Sequence, residues 1–182
     1  MIRAGAALIG AAALTILAAA SPAAADPAGP ADAAAEPHPV SYLIGRCYDP
    51  SQPVEERPER ILYNCEGTGL MREMTWTQWD AEGARGTGID ESVECKPNCA
   101  EGPRLVNPIV VHAWNPRPAD DDRCPADVQF YADITIAYPQ GVPPWIVPGT
   151  TWDEGTDFVI IDGMPAVHFS DQKPFSCMPL GE

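Results

Sequence analysis

Two short segments hold residue types that could do chemistry: Cys95-Lys96-Pro97-Asn98-Cys99 and His168-Phe169-Ser170-Asp171. A Cys-x-x-x-Cys pair could hold a metal ion, but zinc sites usually combine two such pairs or add histidines at regular spacing. The other cysteines, Cys47, Cys65, Cys124 and Cys177, stand alone, and neither His112 nor His168 has a partner three or four residues on. The six thiols, an even set, are therefore read as disulfides. The second segment has the residue types of a hydrolytic triad without its geometry. A strand would place His168 and Ser170 on one face with backbones about 7 Å apart. No G-x-S-x-G elbow is present, and a cysteine nucleophile would break the even count. With 26 acids in the chain, a facing carboxylate pair says nothing about glycosidase chemistry.

Asp120-Asp121-Asp122, with Asp127 or Asp133 nearby, offers hard oxygen ligands for calcium, yet it lacks EF-hand spacing and a glycine-hinged acidic loop. It is read as a solvated acidic loop. Gly83-Ala84-Arg85-Gly86-Thr87-Gly88 departs from a G-x-G-x-x-G dinucleotide loop and sits in a strand context. No catalytic residue, cofactor or metal ligand is assigned. The hydrolase alternative reduces to His168 or His112 with acidic partners. A weaker alternative is a protease inhibitor presenting Lys96 from the Cys95–Cys99 loop.

The compartment follows from the N-terminus. Arg3 precedes an apolar run from Ala4 to Ala20, and Pro22 and Ala23-Ala24-Ala25 then supply a helix break and the small residues a signal peptidase needs. Residues 1–25 are read as a cleaved signal rather than an anchor, because the run is Ala-rich, only moderately hydrophobic and followed at once by Pro22 and the A-x-A site, and no later apolar stretch approaches the ~20 residues of a membrane span. Residues 26–39 are an Ala/Pro-rich linker, and 40–182 a single domain. The mature protein is expected to be secreted, extracellular or associated with the cell wall. The formal net charge of the chain is −15, and loss of Arg3 makes the mature form more negative still. Phosphate backbones and anionic membranes would repel such a surface, so neither nucleic acid nor membrane insertion is expected.

The 21 prolines leave no room for long helices and favour short strands joined by loops. Val128–Tyr138 alternates at period two, with Val128, Phe130, Ala132, Ile134, Ile136 and Tyr138 on one face. The runs 109–111 and 158–161 read as central strands covered on both faces. Asp80-Ala81-Glu82-Gly83 predicts a hairpin turn, whose register sets Leu70 against Val93, Met74 against Ile89, Trp76 against Thr87 and Arg72 against Glu91. One match is poor, Glu73 against Asp90, and Gly86 and Gly88 suggest a bulge or close backbone approach. Extended outward, the register brings residue 65 near 98. The expected disulfides are Cys65–Cys99, Cys47–Cys177 and Cys95–Cys124, with Cys65–Cys95 as the nearest variant.

Trp76-Thr77-Gln78-Trp79, Gly86-Thr87-Gly88 and Cys95-Lys96-Pro97-Asn98-Cys99-Ala100-Glu101-Gly102 together form a W-x-x-W … G-x-G … C-x-P-N-C-A-x-G series. Over about residues 60–138 the chain resembles a group of small secreted actinobacterial proteins, and residues 139–182 depart from that pattern. The resemblance implies secretion and a β domain, and it transfers no active site. The fold expected is all-β, a disulfide-braced sandwich or small barrel of about seven to eight strands. The function expected is non-catalytic binding of an extracellular protein or ligand, with Trp79, Trp145, Ile146 and Trp152 as contact points.

Overall fold

The computed structural model describes residues 39–45, 47–63, 68–172 and 176–177. The signal segment and nearly all of the linker lie outside them, as does Cys65. Eleven strands follow in order: β1 (Ser41–Leu43), β2 (Cys47–Tyr48), β3 (Arg60–Leu62), β4 (Gly69–Asp80), β5 (Gly83–Val93), β6 (Arg104–Pro118), β7 (Val128–Ala137), β8 (Thr151–Asp153), β9 (Thr156–Ile161), β10 (Met164–Phe169) and β11 (Ser176–Cys177). None of the described residues is helical, so none forms a helix long and apolar enough to cross a membrane. The disulfide-braced, all-β expectation therefore holds.

Nine strands form one sheet in the order β3-β4-β5-β6-β7-β10-β9-β8. β1 pairs in parallel with the first residues of β7, and β2 and β11 form a separate parallel pair. The long sheet curls into a half-barrel. Tyr63, just past β3, brings its ring to within 6.3 Å of Phe169 on β10, across the width of the curl. The inner face carries the main core, including Met71, Met74, Trp76 and Trp79 of β4, Ile109 and Val111 of β6, and Ile134 and Ile136 of β7. The segment 130–132 of β7 is buried on both faces. Tyr131 joins the main core, while Phe130 and Ala132 join a second cluster with Val128 and Cys177. The runs 109–111 and 158–161 are not covered on both faces: Val110 and Ile160 are exposed. Their outward residues face solvent because the second cluster covers β7 only around Val128–Ala132 and does not reach them.

The β4–β5 hairpin turns where the sequence places it. Asp80 pairs with Gly83, and the Asp80 carboxylate accepts from the backbone N–H groups of Glu82 and Gly83 at 2.8 and 3.2 Å. The expected register survives only for the pairs next to the turn, Gln78↔Arg85 and Trp79↔Ala84. Two bulges then shift it, one between Trp76 and Gln78 and one between Arg72 and Thr75. Leu70 consequently faces Glu91, Arg72 faces Ile89, and Trp76 faces Gly86. The second bulge removes the poor Glu73/Asp90 match. Glu73 takes a positive φ of 54° and its side chain is exposed, while Asp90 turns inward. Arg72 still reaches Glu91 diagonally, at 3.1 Å.

The glycines explain the W-x-x-W … G-x-G pattern. A Cβ on Gly86 would sit 2.6 Å from the Trp76 ring, and one on Gly88 would sit 2.3 Å from the Met74 sulfur. Large side chains of β4 thus lie flat across bare backbone of β5, the close approach that glycine in a strand permits. Trp76 meets Trp79 edge-on at 4.7 Å, and Trp79 meets Tyr131 edge-on at 5.9 Å.

All three expected cysteine pairings are corrected. Cys95 pairs with Cys99, and Cys124 pairs with Cys177. Hence Cys99 is not bound to Cys65, Cys177 is not bound to Cys47, and Cys95 is not bound to Cys124. The first pair closes locally because Asn98 makes a turn: its side-chain oxygen accepts from Ala100 N and Glu101 N, and its carbonyl accepts from Gly102 N at 2.9 Å. Gly102 lets the loop return against Glu94, since a Cβ there would lie 1.7 Å from the Glu94 carbonyl oxygen. Cys177 is fully buried under β7, and its N–H donates to Asp121 at 3.2 Å.

Candidate binding cleft

The inner face of the half-barrel is incompletely filled between its two ends. A cleft of about 470 Å³ runs there, bounded by β5 and the Cys95–Cys99 loop on one side and by β9, β10 and the 143–148 loop on the other. Alternation delivers the walls: Ile136 from β7, Val167 and Phe169 from β10, and Phe158 from β9 all point inward. Tyr63, Tyr138, Trp145 and Trp152 add aromatic surface. A smaller cavity of about 270 Å³ shares Tyr63, Ile136, Trp152 and Phe169 with it and ends among Asp153, Glu154, Ser170 and Asp171. Aromatic and aliphatic walls with a few polar groups are the usual make-up of a small-molecule pocket.

The Pro-rich loop is pinned over the edge of β9. Gly149 N donates to Phe158 O at 2.7 Å, Phe158 N donates back to Thr150 O at 2.8 Å, and Ile146 N donates to Pro143 O at 3.0 Å. This places the expected contact residues unequally. Ile146 is buried, Trp145 is half-buried against the core, and Trp152 stands 65% exposed at the mouth with its ring edge-on to Phe158. These three line the cleft. Trp79 does not: it is 6% exposed, packed under Tyr131, and is corrected from a surface contact to a core residue. The reason is the bulge at Trp76–Gln78, which turns both tryptophans to the inner face.

Beneath the cleft lies a polar cluster that reading the sequence missed. Asp90 is 0% exposed. Tyr63 Oη donates to its Oδ1 and Tyr138 Oη to its Oδ2, each at 3.1 Å. Burial pushes the Asp90 carboxyl above its ordinary range, and nearby Glu91 adds to the rise. The hydroxyls of Ser92, Tyr63 and Tyr138 oppose it by favouring the charged form. Ser92 Oγ is itself buried beside the carboxylate, short of a hydrogen bond of full geometry. Burial, and then the charge of Asp90, pushes the Tyr63 phenol well up, and the same causes raise Tyr138. The available signal was parity: Asp90 and Ser92 share the inward face with Gly86 and Gly88, and an acid on a buried face calls for a partner.

The histidines lie on the outer face. His112, Thr135 and His168 sit side by side in register across β6, β7 and β10. Trp114 stacks on both imidazoles, at 4.7 and 5.5 Å. The sheet brings the two histidines together, with Asp162 lining the same outer-face cavity as His112, yet the two acids on the adjoining strands are engaged elsewhere. Asp157, opposite His168, accepts from Thr151 at 2.6 Å, and Asp133 accepts from Asn115 at 2.6 Å. His168 Nε2 is buried without a hydrogen-bond partner among the described residues, and burial, followed by the charge of Arg85, lowers the His112 pKa. Ser170 lies past the end of β10 and lines the smaller inner cavity, away from His168. In the acidic loop, Asp121 is engaged by Arg123 Nε at 2.9 Å and Nη2 at 2.8 Å, which hold its carboxyl well below the usual range. Lys96 stands at the cleft rim, paired with Glu94 at 3.5 Å. Comparison with family models, curated proteins and solved structures finds no match to the chain.

Proposed function

We propose that the protein is a secreted, non-catalytic binding domain that takes a small, largely apolar molecule into the inner-face cleft. The carrying observation is the cleft itself: about 470 Å³, lined by six aromatic side chains, Tyr63, Tyr138, Trp145, Trp152, Phe158 and Phe169, and opening at the exposed Trp152. Its walls are held by the Cys95–Cys99 disulfide and a continuous sheet, and a preformed site loses little order on binding. The signal-like residues 1–25, the disulfides and the resemblance to secreted actinobacterial proteins support export.

The hydrolase alternative draws on His112 and His168 meeting at Trp114, but among the described residues neither imidazole is joined by a hydrogen bond or ion pair to the carboxylate a general base needs for orientation. The test is a titration of the mature protein with the uncharged apolar dye N-phenyl-1-naphthylamine, run beside a panel of chromogenic esters. Binding predicts saturable, one-to-one dye fluorescence and no turnover. Ester hydrolysis lost in His168→Ala, without saturable dye uptake, would replace this reading with the enzymatic one.

A further inference from the structure

We infer that the cleft selects amphiphiles whose polar end donates hydrogen bonds, an ammonium ahead of an alcohol, and excludes carboxylates and phosphates. The inference rests on the cleft being the binding site and adds the chemical class of its ligand. A phenol has one proton to give. Tyr63 and Tyr138 both spend theirs on Asp90, so what their oxygens have left to offer the cleft is lone pairs. Each of those oxygens is a better acceptor for being bonded to a carboxylate, because linked hydrogen bonds polarise one another. Ser92, whose buried hydroxyl lies beside the Asp90 carboxylate, is the third polar residue on the same wall.

Charge points the same way. Asp90 is fully buried, its hydrogen bonds come from neutral hydroxyls, and no cation pairs with it among the described residues. A buried carboxylate without a counter-ion is costly, and a ligand ammonium against the two phenol oxygens would offset that cost. The other charged groups on the wall are Glu94 and Lys96, and Lys96 is 82% exposed and tied to Glu94. An anionic head would meet Asp90 across a low-dielectric wall, and the chain's net charge of −15 would oppose its approach.

The test uses the mature protein and three ligands with one tail: decylamine, decanol and decanoate, each displacing N-phenyl-1-naphthylamine at neutral pH. The amine is expected to bind about tenfold tighter than the carboxylate, with the alcohol between, as one charge-assisted hydrogen bond would give. Asp90→Asn should abolish the amine's advantage and leave decanol binding in place. Tyr63→Phe, which keeps the ring and removes one acceptor, should narrow the advantage and serves if Asp90→Asn does not fold. Equal binding of all three ligands, decanoate binding tightest, or full selectivity in either variant would overturn the inference while leaving the cleft reading intact. Failure of all three ligands and of the dye would remove both.

Discussion

Removing the Cys124–Cys177 bridge should cost the fold about twice what removing Cys95–Cys99 costs, and the difference follows from loop length. The two bridges span sequence separations of 53 and 4. A disulfide stabilises largely by restricting the unfolded chain, with an entropy that grows as the logarithm of the loop. This gives about 4 kcal/mol for the longer loop and about 2 kcal/mol for the shorter at 25 °C. Packing widens the gap. Cys177 is fully buried beside Val128, Phe130 and Ala132, whereas Cys95 and Cys99 are exposed. The assay is thermal unfolding, without reductant, of the double variants Cys124→Ala/Cys177→Ala and Cys95→Ala/Cys99→Ala against the parent protein. At about 3 °C per kcal/mol for a domain of this size, the losses in Tm should be about 12 °C and about 6 °C. Equal losses, or a larger loss from the Cys95–Cys99 pair, would refute the reasoning. The unfolded chain would then not be what the longer bridge restrains.

Three further outcomes follow from the same structure. Gly86→Ala should destabilise by about 1–3 kcal/mol, read by urea unfolding, because its Cβ would meet the Trp76 ring at 2.6 Å and the Thr75 carbonyl at 2.8 Å. Burial lifts the folded pKa of Asp90 above its ordinary 3.8, so the folded state holds that proton more tightly than the unfolded one. Its contribution to stability is full below the unfolded pKa and is lost as pH rises through the folded pKa. Asp90→Asn should therefore flatten the fall in unfolding free energy above pH 3.8, and an unchanged pH profile would sink that assignment. Trp152→Ala should weaken dye binding roughly tenfold with little change in urea midpoint, since Trp152 is 65% exposed and buries little in the unliganded fold.

Alternation made much of this fold legible. The period of Val128–Tyr138 identified β7, and Asp80–Gly83 identified the turn, because both signals are local. Register was not legible beyond the turn. A bulge costs one residue of pairing, and its marks, here a positive φ at Glu73 and glycines beneath Met74 and Trp76, show only when the strands are laid together. That loss carried into the disulfides, since the Cys65–Cys99 pairing leaned on an uninterrupted ladder. It also carried into the site, where Trp79 moves inward and Asp90 escapes Glu73 to meet Tyr63 and Tyr138. Trp145, Ile146 and Trp152 were legible as a group because an apolar, proline-rich loop is conspicuous. What they line was not, because the cleft joins β5 to β9 and β10 from opposite parts of the chain.

The central claim is that the inner-face cleft is where a ligand binds, and the five tryptophans provide a direct report on it. The measurement is a two-dimensional NMR titration of the indole N–H signals with N-phenyl-1-naphthylamine. Trp145 and Trp152, on the cleft, should shift progressively and saturate together. Trp76 and Trp79 in the core and Trp114 on the outer face should hold still. A saturating shift of Trp114 with Trp145 and Trp152 unmoved would place binding at the histidine face and contradict the account.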